Sequence, residues 1–123
     1  MNFWLWASAA AAFFTLLIHL ILGGREIARP LLAARVLADV PKYTMYYCWH
    51  LVSLMIFAMA AMLAHVAFWG GPVELAWAGL ALAAGSMAWS FVMIAALRLR
   101  PLWHYPQGWL FALVVALALP GLW

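Results

Sequence analysis

Four stretches of this sequence, 3–22, 44–68, 73–97 and roughly 106–122, are apolar almost without interruption. A helix needs about 20 mainly apolar residues to cross the hydrocarbon of a bilayer, and little lies outside these stretches except the 23–43 connection. Of the 123 residues, 72% are apolar and 7% charged, against about half and about a quarter in a soluble domain. A chain of this size buries only about two-thirds of its surface on folding, so the expected solvent is lipid. The sequence therefore predicts an all-α fold, an integral membrane four-helix bundle forming a single transmembrane domain over 1–123. A soluble enzyme, a nucleic-acid reader and a disordered tail are excluded. Six basic residues make no nucleic-acid patch despite a net charge of +3. A single cysteine, Cys48, excludes a disulfide framework and a Cys-based zinc cage.

Turn residues mark the expected joints at Gly23-Gly24, at Gly70-Gly71-Pro72 and at Pro101 and Pro106. Pro106 suits the first turn of the last helix. Residues 1–4 carry no basic side chain of the kind that opens a signal peptide, so the first stretch is expected to remain as a helix. Arg25, Arg29, Arg35 and Lys42 lie between helices one and two, and Arg98 and Arg100 between three and four. Basic loops stay cytoplasmic, which predicts both termini on the periplasmic side. The aromatic residues agree. Trp4, Trp6, Trp69, Trp77 and Trp123 fall at the outer boundary, while Trp49, Trp103, Trp109 and all four tyrosines fall near the inner one. Such belts fix the depth of an inserted bundle.

The 23–43 connection mixes Ile27, Leu31, Leu32, Val36, Leu37 and Val40 with Arg25, Glu26, Arg29, Arg35 and Asp39. That pattern predicts an interfacial amphipathic segment, apolar side down and arginines up, with Asp39 capping the second helix ahead of Pro41. Ala7 to Ala12, and Gly79, Ala83, Ser86 and Ser90, are small-residue faces for close helix packing.

Ionisable groups within a span are expensive and are functional candidates. Ser8, Thr15 and His19 fall within about 40° of one another on a helix, a polar stripe expected to face the bundle interior. His50, with Ser53 beside it, lies at a matching depth on the antiparallel second helix, and His104 lies just before the fourth. Two imidazoles at one depth could clamp the iron of haem b or hold a transition metal. The candidate metal ligands are thus His19, His50 and His104, with Arg25 and Arg29 placed to pair with haem propionates or another anionic headgroup. The alternative is that these histidines hold the register of the bundle by hydrogen bonds. Cys48, Met55, Met59 and Met62 form the opposite face of helix two, which suits either a soft metal or, better, ordinary packing. No carboxylate lies mid-span, and no hydrolase, metalloprotease or phosphate-loop motif is present.

The run His19-Leu20-Ile21-Leu22-Gly23, then Pro30-Leu31-Leu32, Trp49-His50 and Pro106-Gln107-Gly108-Trp109, resembles a group of small bacterial four-helix inner-membrane proteins without an assigned activity. The resemblance implies a bacterial inner-membrane location and places His19 and His50 within the shared pattern. It supplies no substrate. Where those proteins often carry an acidic residue after the first glycine, this chain has Gly24, with Glu26 two residues later.

Two functions follow as expectations. One is a metal or haem site at the cytoplasmic face, serving electron transfer or metal and haem handling. The other is a non-catalytic accessory or assembly subunit of a larger membrane complex or homo-oligomer, with structural histidines. Neither includes hydrolytic or transferase chemistry. A transporter or channel is weaker, because no charge lines the middle of any helix.

Overall fold

The structure is a computed structural model describing residues 1–123, and it is helical almost throughout. Helix α1 runs from Phe3 to Ala33, α2 from Asp39 to Trp69 and α3 from Val73 to Ala96. A 3₁₀ turn at Leu102–His104 precedes α4, Gln107–Ala118, which ends in a 3₁₀ turn at Leu119–Gly121. The first three are long and apolar enough to cross a membrane. The fourth is shorter than the 106–122 expected. Pro120, which has no N–H to extend the ladder, coincides with its tightened end.

The connection between α1 and α2 also differs from the expectation. Gly23 and Gly24 do not break the first helix, and only residues 34–38 are non-helical. Phe3–Ile18 is α-helical, His19–Ala28 is wound as a π-helix, and Arg29–Ala33 returns to α. The wide winding lies directly ahead of Pro30, whose ring would collide with the Glu26 carbonyl in a regular α-helix. The amphipathic residues 23–33 thus prolong α1 instead of forming a separate segment. Asp39 does not cap α2 either. Ala38 holds that position, and Asp39 lies in the first turn, where its charge suits the positive end of the helix.

Hydrogen bonds fix the up-and-down course of the chain. Asn2 Nδ2 donates to the Gly121 carbonyl at 2.7 Å, and the Asn2 N–H donates to the Ala67 carbonyl at 3.0 Å. The start of α1 is thereby tied to the ends of α2 and α4. Asn2 Oδ1 also caps α1 by accepting from the Leu5 N–H at 3.1 Å. Helix α1 packs on α2 and α4, and α3 packs on the same two from the other side.

The core draws Leu5, Ala12 and Leu16 from α1, Ile56, Met59 and Leu63 from α2, Leu80 and Ala83 from α3, and Phe111 and Val114 from α4. Ser8 and Thr15 are buried, as the polar stripe predicts. Ser8 Oγ donates to the Val114 carbonyl at 2.7 Å, and Thr15 Oγ1 donates to the Ala11 carbonyl at 2.9 Å. Gly79 lets α3 approach α2: a Cβ there would stand 3.2 Å from the Leu63 side chain and 3.5 Å from the Met59 carbonyl oxygen. Met59 is fully buried and Met55 packs against the core, while Cys48 is exposed. Two residues of the methionine face, Met55 and Met59, thus pack within the bundle. Large apolar side chains such as Phe13, Phe14, Leu54 and Phe57 remain exposed around the outside.

Candidate functional site

His19 opens the π-wound part of α1 and faces α2. Its Nε2 lies 3.2 Å from the Trp49 carbonyl oxygen and 3.0 Å from Ser53 Oγ. A carbonyl can only accept, so Nε2 donates in the bond to Trp49 and Nδ1 makes no bond within the cluster. Ser53 Oγ in turn donates to the Trp49 carbonyl at 3.3 Å, closing a three-membered cluster. The imidazole lies on the Trp49 indole, with centroids 4.5 Å apart and planes 21° apart. Gly23, one turn beyond His19, packs beside this stack, where a Cβ would stand in ordinary contact 3.7 Å from Trp49 Nε1. That indole N–H is buried without a hydrogen-bond partner.

His50 takes no part in this cluster. It is exposed, and its ring meets the edges of Tyr46 at 4.6 Å and Trp49 at 5.1 Å. Trp49 occupies the position against α1 that the expectation gave to His50. Every other tryptophan is exposed, whereas Trp49 is half-buried against α1. No three His, Cys, Asp or Glu side chains gather closely enough to hold a metal ion. His19 Nε2 is engaged by Ser53 and a backbone carbonyl, and one face of its ring is covered by Trp49, so only Nδ1 is left to meet a ligand, while His50 lies outside the cluster.

A cavity of about 190 Å³ opens between α1, α2 and the start of α4. Its floor is apolar, with Ile18 and Leu22 from α1, Val52 and Ile56 from α2, and Leu110 and Phe111 from α4. Its polar lining is Thr15, His19, Glu26, His104 and Gln107. Thr15, His19, Gly23 and Glu26, spaced three or four residues apart along α1, share this wall, while the 3₁₀ turn ahead of α4 supplies His104. Glu26, His104 and Gln107 are exposed. Sequence reasoning missed Gln107 and Thr15 as members of one site and left Glu26 in a loop. The four-residue spacing from His19 to Gly23 was the available signal, since it sets a histidine and a gap one above the other.

Arg25 and Arg29 line a different crevice, of about 390 Å³, with Gly24, Tyr46 and Trp49 on the other face of α1. His19 and His104 therefore share one cavity, His50 lies outside it, and the two arginines lie across the helix from it. Comparison with known protein families, with curated proteins and with solved structures gives no match.

Proposed function

We propose that this chain is a multi-pass protein of the bacterial inner membrane, termini periplasmic, that binds a small amphipathic molecule at its cytoplasmic end. The observation that carries the reading is the cavity between α1, α2 and α4, apolar below and polar around His19, Glu26, His104 and Gln107. Ligand sites of this kind have apolar walls and a few convergent polar groups that fix orientation. At about 190 Å³ the cavity suits a headgroup or short molecule and is smaller than the roughly 300–1,000 Å³ of ordinary small-molecule sites. Three helices of spanning length support membrane insertion, and all six basic residues in odd-numbered connections support the orientation.

The test is mass spectrometry of molecules that accompany the protein through purification in mild detergent, joined to an absorption spectrum and elemental analysis. A small molecule retained by the wild type and lost in both Leu110→Trp and Glu26→Gln supports the reading. Equal retention in both variants overturns it. A Soret band or stoichiometric metal lost in His19→Ala would return the site to metal or haem handling.

The accessory-subunit reading draws on a separate observation. A wholly apolar groove runs along the α1–α2 seam, floored by alanines including Ala9 and Ala60 and rimmed by Trp6, Phe13, Phe57 and Phe68. It predicts a larger particle in mild detergent that survives His19→Ala, and recovery only as a monomer counts against it.

A further inference from the structure

The inner halves of α1 and α2 enclose the second crevice, and its chemistry differs from that of the cavity. Arg25 and Arg29 stand one turn apart on α1, both exposed, and Tyr46 of α2 forms the opposite wall. No side-chain hydrogen bond in the molecule involves either guanidinium. Gly24, just ahead of Arg25, also lines the crevice, and a Cβ there would meet nothing within 4 Å, so the shelf beside it is open. Leu20 and Ile21, exposed on the side nearer the helix middle, continue the crevice as an apolar strip.

Depth selects the occupant. About 20 helical residues cross the hydrocarbon, so a span beginning at Phe3 reaches the inner boundary near Leu22. Arg25 is three residues past that point, about 4.5 Å along the axis, within the headgroup layer. Helical side chains slant toward the N-terminus, which returns the Arg29 guanidinium toward the same layer. Planar guanidinium groups bind phosphate oxygens by paired, charge-assisted hydrogen bonds, and the Tyr46 hydroxyl adds a neutral donor. An apolar strip leading into a cluster of phosphate donors has the form of a lipid: acyl chain along Leu20 and Ile21, headgroup between the arginines.

We propose that this crevice is a binding site for the phosphodiester headgroup of an anionic membrane lipid. The site is separate from the histidine-lined cavity, and it rests only on the membrane reading, which fractionation of the expressed protein tests independently.

The experiment is native mass spectrometry of the protein in a neutral detergent with phosphatidylglycerol, phosphatidylcholine or inorganic phosphate added. The wild type should retain one phosphatidylglycerol with about thirtyfold preference over phosphatidylcholine, as two basic groups at a membrane surface imply. Arg25→Gln/Arg29→Gln should lose that preference. Gly24→Leu, whose Cβ meets nothing within 4 Å, projects into the open shelf and should lose the bound lipid while leaving the fold intact. Arg98→Gln/Arg100→Gln removes the same charge elsewhere and should keep the preference. An equal loss in that control would assign the effect to diffuse charge and overturn the site. Retention in Gly24→Leu would overturn it as well. Displacement of the lipid by inorganic phosphate would make the ligand a soluble phosphate and overturn the lipid assignment.

Discussion

The imidazole of His19 lies flat against the indole of Trp49 while its Nε2–H meets the carbonyl oxygen of that same tryptophan. One residue of α2 thus engages both the ring face and the ring nitrogen of a histidine on α1. Interhelical hydrogen bonds in membranes contribute about 0.6 kcal/mol on average, and an aromatic stack adds about 0.5–1.5 kcal/mol. His19→Ala should therefore destabilise the bundle by about 1–2 kcal/mol, measured by graded unfolding in mixed micelles. His50→Ala, at an exposed site, should stay within about 0.5 kcal/mol of the wild type. Equal losses in the two variants would show that His19 and Trp49 are not a structural clasp.

The glycines give a sharper contrast. Gly108 begins α4 against α3, where a Cβ would stand 3.1 Å from the Phe91 ring and from Ser90 Oγ. Gly108→Ala must push these groups aside, and overpacking of this kind costs about 1–3 kcal/mol. Gly85 lies within α3 with nothing near its missing Cβ, so Gly85→Ala should stabilise by up to about 1 kcal/mol through helix propensity alone. The same unfolding measurement checks both. A stable Gly108→Ala would mean that α4 is not held against α3 at this point.

The helices were legible because long apolar runs leave few alternatives, and the buried stripe of Ser8 and Thr15 followed from helical phase. Three features were not legible. Gly23 and Gly24 read as breakers, but helix packing overrides local propensity, and both glycines lie within the continuous first helix. Trp49 read as an interfacial anchor because an indole suits both that role and a buried stack. The phase assigned to His50 rested on Ser53 three residues away, and neighbours 300° apart on a helix can lie on either side of an interface. Across the chain, His104 and Glu26 could be brought to one cavity only by knowing that the helix does not break at the glycines.

Orientation is a prediction in its own right. An alkaline phosphatase fused after Trp123 should be active, since that enzyme needs the periplasm, and one fused after Ala38 should not. The reason is electrostatic: Arg25, Arg29, Arg35 and Lys42 flank the α1–α2 connection, and short basic connections remain in the cytoplasm. The reverse pattern of activities would overturn the orientation and move both candidate sites to the other face.

Arg98 separates the demands of topology from those of stability. It lies just past the end of α3 with φ of 52°, the left-handed region that favours glycine. The Arg98 N–H donates to the Ala95 carbonyl and the Leu99 N–H to the Ile94 carbonyl, the bond pair of a Schellman turn. At the corresponding end of α2, the left-handed position is held by Gly70. An arginine in this conformation is strained by about 1–2 kcal/mol, partly offset by its charge at a helix C-terminus. Arg98→Gly should therefore raise stability by about 0.5–1 kcal/mol. It also removes one of only two basic residues in the α3–α4 connection. The fusion after Trp123 should accordingly lose part of its phosphatase activity as a minority of chains invert. A variant that is more stable and less uniformly oriented would show that the arginine is held there by insertion, against the preference of the turn. A variant less stable than the wild type would show that the guanidinium contributes more to the turn than its strain removes.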